Sequence, residues 1–140
     1  MMLKYQKYFE ELGISSKCPP KKVVSKKRLA FRYIYESIEN KNNFIPQYFK
    51  QSPPRRNSSD ESLCSDFALS FFMSEVNAIE YFLSFPQHIK KLLGYKNIAK
   101  GQLDKEDGLM TAVNKNGHFD LHEYENVDFS GRFIIISALQ

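Results

Sequence analysis

The densest apolar stretch of the chain, "LCSDFALSFFMS" at residues 63–74, stands directly before a sequence suited to start a helix. Its apolar density predicts a buried strand near 67–72. Ser74 follows, and its hydroxyl can accept a free backbone N–H of the first turn of "EVNAIEYFLSF". Val76, Ile79, Phe82 and Leu83 recur at helical spacing and give that helix one apolar side. Pro86 can open a second short helix, "PQHIKKLLG", which Gly94 closes. A buried strand followed by amphipathic helices needs a layered core.

The rest of the chain extends this pattern. "LKYQKYFEELG" reads as a short helix, with Tyr5, Tyr8, Phe9 and Leu12 at helical spacing and Gly13 placed to end it. "SSKCPPKKVVSKKR" reads as a connector. Leu29, Phe31, Tyr33 and Tyr35 alternate as in a strand, while Phe31, Ile34, Tyr35 and Ile38 share a helical face; aromatic enrichment favours a strand over 28–36. Residues 50–62, "KQSPPRRNSSDES", read as an exposed loop. "KNIAKGQLD", "HFDLHEY" and "GRFIIISAL" read as later strands, with "KEDG" as a turn. The expected fold is a single α+β domain with a mixed or antiparallel sheet and a few short helices. Within residues 1–140, a helix and basic connector fill 1–27 and the main body fills 28–140.

Composition sets the bounds. A chain of 140 residues with 42% hydrophobic and 14% aromatic residues fits one globular domain with a real core. No apolar run reaches the roughly 18–20 residues of a membrane span. "MMLKYQKYFEELG" has no apolar signal core, which makes the cytoplasm the expected location and a membrane an unexpected partner. Cys18 and Cys64 belong to no C-x-x-C pair and read as reduced thiols.

Charge is divided unevenly. Residues 1–56 carry 13 Lys/Arg against 4 Glu, or +9, and residues 57–140 carry 7 Lys/Arg against 12 Asp/Glu, or −5. The basic half favours an anionic partner, nucleic acid first and a nucleotide second. Lys21, Lys22, Lys26, Lys27, Arg28, Arg55 and Arg56 are its candidate contacts. The aromatics of "KKRLAFRYIYE" could stack bases beside those charges, or belong to the core. The acidic half could instead contact a protein partner, as in an inhibitor or antitoxin-like module.

"GHFDLHEYENVDF" concentrates chemistry-bearing side chains. As a strand it places Phe119 and Leu121 on the core face and His118, Asp120, His122 and Tyr124 on the other. His118 and His122 are then about 13 Å apart, too far to share one metal ion, and no metal site is expected. A histidine tuned by a neighbouring carboxylate suits acid–base catalysis, so His118 and His122 are candidate catalytic residues, for RNA cleavage among other reactions. A solvated polar strand face is the alternative.

Four pieces in order, "NNFIPQ", "LCSDFALSFFMSEVNA", "NIAKGQLDKEDG" and "GHFDLHEY…VDFSGRF", resemble a small bacterial domain type of unsettled function, some members of which belong to conflict systems. Arg32 in "AFRYI", Ser70 in "ALSFF" and the pair Glu123 and Glu125 in "HEYEN" also stand in an order similar to that of ADP-ribosyltransferases. That resemblance implies NAD as cofactor, with Arg32 on a phosphate, Ser70 supporting the site and Glu125 steadying the developing sugar cation. Ser70 is followed by Phe71 and Phe72 rather than by that family's Ser-Thr-Ser run.

Overall fold

A computed structural model describes residues 2–50 and 59–140. Arg55, Arg56 and most of the expected 50–62 loop lie outside the described residues. Six strands form one antiparallel sheet: β1 (Arg28–Ile34), β2 (Leu69–Phe72), β3 (Asn97–Leu103), β4 (Gly108–Met110), β5 (His118–Glu123) and β6 (Phe133–Ala138), in the order β4-β5-β2-β1-β3-β6. Among the described residues, four α-helices accompany it: α1 (Gln6–Glu11), α2 (Asp60–Asp66), α3 (Glu75–Leu83) and α4 (Gln87–Leu93). The architecture is the expected α+β domain, with the sheet wholly antiparallel in its named pairings.

The helix signals act where expected. The Ser74 hydroxyl accepts from Asn77 N–H at 3.0 Å and opens α3. Gly94 adopts φ 72° and closes α4, a conformation a side chain would disfavour. Two short elements lack a hydrophobic period and were not expected. Helix α2 begins inside the expected loop, because Ser59 accepts from Ser62 N–H and Asp60 and Glu61 meet the positive helix end. Strand β4 follows the 105–108 turn and is three residues long. Gly108 permits its close approach to β5, since a Cβ there would lie 2.1 Å from the His122 carbonyl oxygen.

Alternation divides the sheet. One face carries Ala30, Ile34, Leu69, Phe71, Phe119, Leu121 and Phe133, covered by Phe44 and Phe129. The other face carries Phe31, Phe72 and Ile98 with Ala78 of α3. A third cluster joins Phe9 of α1, Ile14, Cys18, Cys64 of α2 and Phe67. The N-terminal segment is tied to the sheet: Lys4 Nζ meets Glu123 Oε1 at 2.9 Å, and Val24 bridges Met110 at the β4 edge.

Cys18 and Cys64 form a disulfide, 46 residues apart in sequence with Cα atoms 5.5 Å apart, and this corrects the expectation of reduced thiols. Their spacing carried no pairing signal. Packing of α2 against the 14–18 turns brings them together. No described helix is long and apolar enough to cross a membrane.

Candidate functional site

The β1–β2 seam is the sheet's weakest junction. Its register holds at one pair, Phe31 with Phe72, whereas β1 and β3 pair along the whole of β1. Arg32 fills the seam. Its Nε donates to Asn43 O and its Nη1 to Ser70 O, both at 2.8 Å. Two cavities of about 190 and 390 Å³ adjoin there and share Arg32, Ser70 and Tyr95 as lining.

The cleft sets two cations, Arg32 and Lys50, and one buried carboxylate, Asp66, among aromatic rings. Arg32 is 6% exposed and makes no ion pair among the described residues. Burial pulls its guanidinium below the usual value, partly offset by Tyr95 and by the carboxylates Glu123 and Asp120. Lys50 lies 5.2 Å from the Tyr35 ring centre and 5.6 Å from that of Tyr95, in cation–π geometry. Burial, and then repulsion from Arg32, lower its pKa to about 8. Lys50 also makes no ion pair among the described residues.

His118 borders the larger cavity. Its Nε2 stands 3.6 Å from Asp120 Oδ1, close enough for electrostatic attraction and too long for a hydrogen bond. Ser65 Oγ donates to Asp120 Oδ2 at 2.8 Å, while Oδ1 is buried with no hydrogen-bond partner. Burial holds the His118 imidazole below its usual value, against the pull of Asp120; it lifts the Asp120 carboxyl above its own.

Three of the sequence candidates, Arg32, Ser70 and His118, therefore meet in one cleft. His122 does not join them. It shares the strand face of His118, as alternation requires, but it is 2% exposed, with Nε2 3.9 Å from Cys64 Sγ. The solvated face considered for it is corrected: α2 and the 14–18 turns cover it. Glu125 is exposed beyond the end of β5 and is absent from the cleft lining. Glu123 is the buried glutamate of the pair and is engaged by Lys4.

Lys21, Lys22, Lys26 and Lys27 are exposed. Lys21 and Lys17 border a further cavity of about 260 Å³ beside Ser65 and Asp120. Ser65 also lines the smaller Arg32 cavity, so basic side chains flank a run of adjoining hollows. Arg28 is turned inward, its guanidinium 4.7 Å from the Phe119 ring centre.

Sequence reading missed Lys50 and Tyr95. Tyr35 stood in the aromatic run beside the lysines, which was the available signal. Tyr95 had none, because it enters the cleft from the turn after α4. Comparison of the chain with family models, with characterised proteins and with solved structures finds no match.

Proposed function

We propose that the protein binds a nucleotide, free or as a unit of a single strand, with its phosphate at Arg32 and Lys50 and its base against the tyrosines of the cleft. One observation carries this reading: Arg32 is a buried cation whose guanidinium is held by two backbone carbonyls and, among the described residues, forms no ion pair with a carboxylate. Buried charges are ordinarily paired, and an anion entering the cleft would complete this one. Aromatic faces beside cations suit base stacking. Lys21, Lys22, Lys26 and Lys27 would extend the positive surface along the strand, with Arg28 behind them.

The test is a titration with a nucleoside diphosphate and with a short single-stranded oligonucleotide at low and high salt. Tight binding at low salt that weakens steeply with added salt supports the reading. Absence of binding to both at low salt overturns it. Binding of the oligonucleotide that survives loss of Arg32 but not of Lys26 and Lys27 would move the site out of the cleft.

A second reading is favoured by the Ser65–Asp120–His118 series. A histidine beside a fixed carboxylate, opening on the same cleft as Arg32, is suited to move a proton during RNA cleavage or sugar transfer from NAD. His118→Asn should abolish such turnover while leaving nucleotide affinity nearly intact. An unchanged rate would remove the catalytic role.

We keep the cytoplasm, expected from the sequence, as the proposed site of action. Thiols are held reduced there, so the Cys18–Cys64 bond would be open.

A further inference from the structure

Cys18, Cys64 and His122 bring their ligand atoms within 4.8 Å of one another, and all three residues are buried. They come from the connector after α1, from α2 and from β5. His122 is 2% exposed, and its Nδ1 is buried with no hydrogen-bond partner. Its Nε2 has only the 3.9 Å contact with Cys64 Sγ. Buried polar nitrogens are ordinarily satisfied, and this ring has no conventional hydrogen bond at either nitrogen among the described residues. Both sulfurs lie within 4.8 Å of a nitrogen of this ring.

We infer that reduction converts this cluster into a zinc site with two thiolates and one imidazole as protein ligands. A dithiol reductant delivers two electrons and two protons to the sulfur–sulfur bond, which opens to two thiols as the dithiol becomes a disulfide. Zinc then displaces the two thiol protons to solvent and takes both sulfurs and a ring nitrogen. Tetrahedral zinc at about 2.3 Å from sulfur and about 2.0–2.1 Å from nitrogen sets its ligand atoms roughly 3.5–3.8 Å apart. The Cys64–His122 separation is already near that range, and opening the bond frees the sulfurs to move apart.

The surroundings fit such an ion. Phe9, Ile14 and Phe67 pack beside the sulfurs and exclude water from one side. On the other side lies the cavity of about 260 Å³, lined by Cys64, His122, Glu61 and Asp120 among others. That cavity gives the fourth coordination position to a water molecule or a small ligand. Zinc would then tie α2 to β5 directly, where the disulfide ties α2 to the connector. This inference is independent of the Arg32 cleft.

The full chain, reduced with a phosphine under nitrogen and freed of excess reagent, is titrated with cobalt(II) and then with zinc. The phosphine takes oxygen from water and becomes its oxide as the disulfide opens. Expected are thiolate-to-cobalt charge-transfer absorption and tetrahedral visible bands that saturate at one cobalt per chain and vanish on adding zinc. The untreated, disulfide-bonded chain should show neither. Cys64→Ser should weaken the charge-transfer absorption, and His122→Gln should lower affinity at least about tenfold. Far-UV circular dichroism separates binding from folding: if reduction loosens the chain, zinc should restore its native spectrum. A reduced chain that binds no cobalt and is not restored by zinc overturns the inference. So does cobalt binding that is unchanged in Cys18→Ser/Cys64→Ser or in His122→Gln.

Discussion

Arg32 Nη1 on β1 donates to the carbonyl of Ser70 on β2 at 2.8 Å, across the seam whose register is confined to one pair. The bond places a cation where ladder hydrogen bonds would otherwise run. Strength of pairing is exchanged there for a charged cleft.

Arg32→Lys keeps the charge and loses the planar fork. One ammonium cannot reproduce the geometry of both carbonyl bonds and still face a ligand. Nucleotide affinity should fall at least about tenfold, which is about 1.4 kcal/mol, and stability should drop by about 1–3 kcal/mol. Calorimetric titration and denaturant melts read the two effects. Equal affinity in wild type and variant would remove Arg32 as an anion contact.

Lys50, with its pKa lowered to about 8, should make binding pH-dependent. Affinity should decline as pH rises through about 8, because the ammonium that attracts the anion is lost. The stability effect has the opposite direction. Between about 8 and its usual 10.5 the unfolded chain holds more protons on this group, so its contribution to stability rises with pH across that window. Lys50→Gln should flatten both profiles relative to wild type.

The disulfide closes a loop with a sequence separation of 46. Chain entropy then predicts that Cys18→Ala/Cys64→Ala loses about 4 kcal/mol of stability. Urea denaturation under oxidising conditions measures it. A loss below about 1 kcal/mol would mean that packing around Ile14 and Phe9 holds the connector without the bond.

Phe119 is fully buried and stacks on Phe71 at 5.8 Å between ring centres. Phe119→Ala should cost about 3–5 kcal/mol. Thermal or denaturant melts check this, and a cost below about 1 kcal/mol would contradict its place in the core.

His122→Leu should behave differently from an ordinary core substitution. In the disulfide-bonded protein it removes an unpartnered buried nitrogen, whose desolvation costs about 1–3 kcal/mol. The variant should be as stable as wild type or more so, with the reduced chain losing its affinity for zinc. A destabilisation of about 3 kcal/mol or more would show that His122 supports the oxidised fold through an interaction of its own.

Local patterns specified most elements. Alternation in "HFDLHEY" gave a strand with Phe119 and Leu121 inward and His118 and His122 on the opposite face, because strand period is a property of the backbone alone. Ser74, Gly13 and Gly94 marked helix ends through local hydrogen bonding and left-handed backbone geometry. Helix α2, "DESLCSD", escaped because its apolar residues are the adjacent Leu63 and Cys64, which show no helical period, and strand β4 because three residues are too short to show alternation.

What surrounds each side chain was decided only by the tertiary structure. Alternation assigned His118 and His122 one face, yet His118 borders the Arg32 cleft and His122 lies beneath α2 beside a separate cavity. The difference lies in which distant segment covers each. The same holds for Arg32, whose place beside Lys50 and Tyr95 depends on the β1–β2 seam opening, and for Cys18 and Cys64, joined by the packing of α2. Sequence determines the direction of a side chain through backbone period. Burial, partners and charge environment come from chain segments tens of residues away, and only the folded chain brings those together.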